Sequence, residues 1–123
     1  MQVPGFIARQ FYVQGSLRNT PDGFQLEAQN PMGDGTLVGI GSISVDGVAV
    51  ALETVSALRQ GDAEPIAAAA LTRYAPIRVK KGDRVTLSVR GPQLGVGDHK
   101  LEVELYERDL GALRLSVTDR VSG

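Results

Sequence analysis

Short apolar runs that alternate strictly with polar residues, each closed by glycine, limit this chain to one kind of architecture. Leu26 and Ala28 alternate with Gln25, Glu27 and Gln29; Val85, Leu87 and Val89 with Arg84, Thr86, Ser88 and Arg90; Leu113, Leu115 and Val117 with Arg114, Ser116 and Thr118. A period of two puts successive side chains on opposite faces of a strand, so each run describes a half-buried strand with one wet face. The 15 glycines fall mostly between these runs and punctuate them. Seven to nine such strands on short turns predict an all-β, two-sheet antiparallel β-sandwich, jelly-roll or immunoglobulin-like, with at most one short helix. Burial of apolar surface between the sheets, at roughly 25 cal/mol per Å², drives such a fold.

Particular segments follow from this. Phe11, Val13 and Leu17 lead to the turn residues Pro21-Asp22-Gly23 and then to Phe24, which predicts a hairpin from about Phe11 to Gln29. Asp46-Gly47 is a tight-turn pair between Ile43-Ser44-Val45 and Val48, Val50 and Leu52. Leu101, Val103 and Leu105 face one way, and Glu102, Glu104 and Tyr106 the other. Gln60 to Ala75 breaks the pattern: Asp62 to Pro65 resembles a helix start and Ala67 to Leu71 favours helix, so one short helix, a helical turn or a loose loop fits there. With 123 residues the chain is read as an N-terminal arm, 1–8, and a single sandwich domain, 9–123.

Charge and composition exclude several functions. Thirteen basic and 14 acidic residues are interleaved for a net charge of −1, without the basic stripe of a nucleic-acid binder. There is no cysteine, hence no disulfide scaffold. No apolar stretch reaches the roughly 20 residues of a membrane helix, and Met1 to Arg9 lacks the apolar core of a secretory signal. A cytoplasmic protein is expected.

No constellation of catalytic groups stands out. The single histidine, His99, has no companions to hold a metal with, and a turn hydrogen bond is its ordinary role. Glu102 and Glu104 share a strand face about 6 to 7 Å apart, a spacing used by inverting glycosidases but equally that of any solvated strand. Asp34, Asp46 and Asp83 each stand beside a turn glycine. No phosphate-loop spacing opens a helix. Asn19 and Asn30, a pair across a hairpin with Arg18 beside the first, organise a loop or a partner surface, or bond to each other across the turn. Asp109 and Asp119 flank the last strand and either cap it or pair with Arg114 or Arg120. No residue is assigned as catalytic, cofactor-binding or metal-ligating.

Several phrases together carry a likeness: FYVQGSLRN at Phe11 to Asn19, GFQLEAQNPMGDG at Gly23 to Gly35, GIGSISVDG at Gly39 to Gly47, VGDHK at Val96 to Lys100, and ELYERDLGALRLSVTDRV at Glu104 to Val121. With these the chain resembles the small β subunit of bacterial C-glycoside deglycosidases, over nearly all of its length beyond the first eight residues. The resemblance implies a larger catalytic α subunit, a (β/α)₈ barrel that carries a divalent metal, commonly manganese, and the acid and base groups. It implies cleavage of the carbon–carbon bond between a 3-oxo-glucose unit and a flavonoid aglycone, in some members also of O-glycosides. A 3-keto group acidifies the C2 proton, a metal stabilises the enolate, and elimination expels the aglycone from C1. No residue of this chain inherits a catalytic role, and the expected partner is the barrel subunit in a hetero-oligomer. Permanent interfaces favour aromatic, arginine and methionine anchors, so Phe6, Tyr12, Arg18, Asn19, Asn30, Met32 and Tyr106 are the candidate contacts. The alternative is a free-standing carbohydrate-binding sandwich, which three tyrosines, three phenylalanines and no tryptophan equip thinly.

Overall fold

The computed structural model describes residues 4–122. One α-helix, α1 (Gly5–Phe11), precedes ten strands: β1 (Arg18–Thr20), β2 (Gly23–Gln29), β3 (Gly35–Val45), β4 (Val48–Ala49), β5 (Val55–Arg59), β6 (Ile66–Ala67), β7 (Ile77–Val79), β8 (Arg84–Arg90), β9 (Gly97–Glu107) and β10 (Gly111–Val121). They form two antiparallel sheets, one ordered β1-β2-β8-β5-β6 and the other β10-β9-β3-β4, with β7 also on β3. The predicted two-sheet sandwich is the fold. Its inner faces meet in one core, in which Leu26, Ile43, Leu87 and Leu101 are the largest fully buried side chains. Among the described residues no helix is long and apolar enough to cross a membrane.

Local chemistry accounts for the turns. Asp46 and Gly47 both adopt positive φ, 52° and 81°, the combination a two-residue hairpin turn requires between β3 and β4. The β9–β10 hairpin is the longest, in unbroken register from Glu107↔Gly111 to Gly97↔Val121. Gly23 pairs with Arg90 at the β2–β8 edge, where a side chain would run into the Val89 carbonyl oxygen; only glycine fits there. On β3, Gly39 and Gly41 lie under the ring of Tyr106, and a Cβ at Gly41 would also meet the Glu104 carboxylate. The two glycines therefore seat that aromatic rather than interrupt the strand. Register shifts between Leu37 and Gly39 and between Ile40 and Ser42 keep β3 paired with β9 through this stretch.

Two expectations are corrected and one is narrowed. The hairpin begins at Arg18, not Phe11: residues up to Phe11 form α1, whose Ala8 is wholly buried and which packs on β10. Seven residues are too few to show helical periodicity, and Phe11-Tyr12-Val13 imitates strand alternation. In the Gln60–Ala75 connection Ile66 and Ala67 pair with β5, and Ala68–Ala70 form one 3₁₀ turn, the helical turn expected there rather than an α-helix. Asp119 does not flank the last strand: it lies within β10, on the inward side, 4% exposed. Of the residues expected to form an N-terminal arm, 1–3 lie outside the described residues.

Candidate functional site

The buried Asp119 carboxylate organises the N-terminal segment. Oδ2 accepts hydrogen bonds from the Tyr12 hydroxyl at 2.5 Å, the Gly15 N–H at 3.0 Å and the Leu17 N–H at 3.1 Å. Oδ1 accepts from Gln14 Nε2 at 3.1 Å and the Arg120 N–H at 2.8 Å. Burial, and then the neighbouring Asp119 carboxylate, raise the Tyr12 pKa well above the ordinary phenol value. Five donors satisfy a carboxylate that would otherwise be costly to bury. Tyr12 is thus a core residue that latches the chain to β10, not an outward contact.

His99 is likewise committed. Nδ1 lies 2.6 Å from Asp46 Oδ2 and Nε2 lies 2.7 Å from the Gly95 carbonyl oxygen. The carboxylate that orients it is Asp46, across the sheet, rather than its sequence neighbour Asp98. Both ring nitrogens face acceptors, which suits the imidazolium. The Gly95 carbonyl first, and Asp46 second, raise its pKa, and His99 lowers that of Asp46. Asp46 Oδ1 also accepts the Lys100 N–H at 2.8 Å, so the pair ties the start of β9 and the preceding Gly95 to the β3–β4 turn.

The outer face of the second sheet carries Glu102 and Glu104 beside Ser42, Ser44 and Ser116. Arg114 Nε donates to Glu104 Oε2 at 2.6 Å and the Tyr106 hydroxyl to Oε1 at 2.8 Å. These two bonds, Arg114 first, lower the Glu104 pKa. Glu104 is therefore held ionised, the reverse of what a general acid requires.

The other candidate contacts are dispersed. Phe6 stands exposed on α1 and Tyr106 on the outer face of the second sheet. Arg18 is exposed on β1, opposite Gln25. Asn19 exchanges two 2.8 Å hydrogen bonds with the Leu94 backbone and fastens the 91–96 loop. Asn30 donates from Nδ2 to the Gly33 and Val79 carbonyl oxygens, both at 2.9 Å, and accepts the Met32 N–H at 3.1 Å. The two asparagines do not pair with each other; each shapes its own loop. Of the seven residues, the structure gathers only Asn30 and Met32 into one site.

That site is a cavity of about 320 Å³ between the sheets, which the sequence did not reveal. Phe11, Val79, Leu87, Leu105, Leu113 and Leu115 contribute to its apolar wall. Its mouth is framed by the Asn30–Gly35 loop and the β9–β10 turn, where Met32 and Leu110 are 57% and 54% exposed. Glu107 fixes this rim: Oε2 accepts the Thr36 N–H at 2.8 Å, and Oε1 accepts the Asp109 and Leu110 N–H groups at 2.7 and 2.9 Å. Burial raises the Glu107 pKa, but the three backbone donors together outweigh it and leave it below the ordinary value. Asp34 and Asp109 add two more carboxylates, and no lysine, arginine or histidine lines the cavity. Leu110, an exposed leucine in a turn beside Asp109, was the one readable sign of it. Such a space accepts an apolar group carrying a neutral or cationic neighbour.

Among the described residues no cluster of three or more histidine, cysteine, aspartate or glutamate side chains is placed to hold a metal ion. The model of the family described as hydroxymethylglutaryl-CoA reductase, N-terminal domain, matches residues 7–122. A comparison with curated proteins finds no match.

Proposed function

The chain belongs to this family of hydroxymethylglutaryl-CoA reductase N-terminal domains, whose description names one part of an enzyme, and from that premise we propose that it acts as an accessory subunit rather than as a self-sufficient catalyst. The specific reading is the non-catalytic β subunit of a heteromeric, metal-dependent lyase that cleaves the C-glycosidic, and in part the O-glycosidic, bond of flavonoid 3-oxo-glucosides in the cytoplasm. The larger (β/α)₈-barrel subunit supplies the divalent metal, manganese, and the acid and base groups; this chain stabilises it.

One observation carries the accessory role. The ionisable groups best placed for chemistry are already spent on internal hydrogen bonds, Asp119 on five donors, Glu107 on three, and His99 between Asp46 and Gly95. What the molecule offers outward is an apolar mouth and scattered anchors such as Phe6, Arg18 and Met32. The lyase assignment draws on the phrases from Phe11 to Asn19, Gly23 to Gly35 and Glu104 to Val121.

Co-expression with a candidate barrel subunit tests both parts. The two chains should co-purify, and the barrel should lose most of its 3-oxo-glycoside-cleaving activity and thermal stability when this chain is left out. A barrel equally active and stable alone would refute the proposal. The family match favours a second reading, an accessory domain of a hydroxymethylglutaryl-CoA reductase. It is supported instead if the co-purifying chain consumes hydroxymethylglutaryl-CoA and leaves 3-oxo-glycosides untouched. Clear heat of sugar binding to the isolated chain would point to the carbohydrate-binding alternative.

A further inference from the structure

We infer that a second copy of this chain occupies the acid-rimmed cavity, inserting its Arg73–Tyr74 tip. Tyr74 is 89% exposed, the most exposed large apolar side chain among the described residues. It is not on a loose loop. Thr72 and Ala75 close the turn with reciprocal backbone hydrogen bonds of 3.3 and 3.1 Å, and the Thr72 hydroxyl accepts the Tyr74 and Ala75 N–H groups at 3.2 and 3.3 Å. A tip of this kind presents its backbone already ordered, so docking loses side-chain but little backbone entropy. Tyrosine and arginine are the residue types that most often dominate binding energy when they enter a pocket.

The cavity complements the tip in shape and in charge. Its volume of about 320 Å³ stands at the small end of the roughly 300–1,000 Å³ of ligand sites, a space for one aromatic side chain rather than an extended segment. The wall is apolar, while Gln29 and Thr36 in the lining offer the phenol hydroxyl a partner. Arg73 makes no ion pair among the described residues, and neither does Asp34 at the rim. Asp109 is held by Arg108 at 3.5 Å, so Asp34 is the rim carboxylate left for the guanidinium next to Tyr74, and no basic residue lines the cavity. The contact joins two different surfaces of the same molecule, so each copy contributes one tip and one cavity. This inference does not depend on the subunit role proposed above.

Sedimentation equilibrium of the purified chain over micromolar to millimolar concentration tests it. The wild type should self-associate, and Tyr74→Ser should weaken association by about tenfold or more. Leu110→Lys, at an exposed rim position, should do the same from the cavity side. Mixing the two variants should restore association, because the first keeps its cavity and the second its tip. Arg73→Glu should weaken association, and combining it with Asp34→Arg should recover part of it. Circular dichroism and melting curves identify any variant that fails to fold; Tyr74→Ser, changing an exposed tip, keeps the test valid if a rim variant does not. A monomer at all concentrations, association unchanged by Tyr74→Ser, or two folded variants that do not complement each other would overturn the inference. Binding of a small apolar dye to the cavity of a chain that never associates would overturn it in favour of a small ligand.

Discussion

Two stretches of β10 put inward-facing side chains to opposite uses. Near its start, Leu113 and Leu115 face a cavity open to solvent; near its end, Asp119 faces a fully packed interior. The same alternation produces both. The difference lies in what the rest of the chain brings to each place. At Asp119 the segment from Tyr12 to Leu17 folds in and supplies four of the five hydrogen bonds. At Leu113 nothing of comparable size fills the space, and the hydrogen bonds of Glu107 fix the rim around it.

The largest expected effect breaks the closed stretch. Asp119→Ala leaves the buried Tyr12 hydroxyl and Leu17 N–H and the part-buried Gly15 N–H without an acceptor, and should lower unfolding free energy by about 3 kcal/mol or more in urea titrations. A matched pair of insertions then sharpens the contrast. Leu101, fully buried opposite Val117, has no room to grow, so Leu101→Phe should cost about 1–3 kcal/mol. Leu105, opposite Leu113 on the same strand, borders the cavity, so Leu105→Phe should change stability by less than about 1 kcal/mol in the same titration. Equal costs would mean that the cavity is not an unfilled volume in solution. Tyr12→Phe removes one of the five donors to Asp119 and should cost about 1 kcal/mol, mostly as faster hydrogen exchange at Gly15 and Leu17.

The smallest effect concerns pH. The raised His99 pKa means that its contribution to stability is complete below the unfolded value near 6.5 and is lost as pH rises through the folded value. The lowered Asp46 pKa means that its contribution is complete above about 4 and is lost as pH falls through the folded value. The pair therefore acts fully in the mildly acidic window between them. Melting temperatures measured at pH 5.5 and 8.5 should differ by more in the wild type than in His99→Gln, with the wild type favoured at the lower pH.

Much of the sandwich could be read from side-chain alternation, and the reasons are specific. The β8 boundaries at Arg84 and Arg90 coincide with the ends of a strict period-two run, and Asp46-Gly47 can close a hairpin in few other ways. Reading stopped where meaning depends on distant partners. Glycines 39 and 41 break the apolar pattern of β3, yet the strand continues, because Tyr106 of β9 covers them. Asp119 occupies the inward beat of the series Leu113, Leu115, Val117, Val121, a visible sign of burial, but its donors lie about a hundred residues earlier. The cavity depends on the spacing between two sheets, which no single strand records. Asn19 and Asn30 looked alike in sequence and serve separate loops.

The Tyr12–Asp119 bond spans 107 residues, and that separation orders events as the molecule assembles. A nascent chain emerges from its N-terminus, so the Tyr12 hydroxyl and the Gly15 and Leu17 N–H groups lack their carboxylate acceptor until nearly every other strand has been synthesised. Contacts so remote in sequence close slowly, since the intervening polymer must first be organised. The early segment waits unlatched while the sheets pair, and the arrival of a single carboxylate completes the molecule.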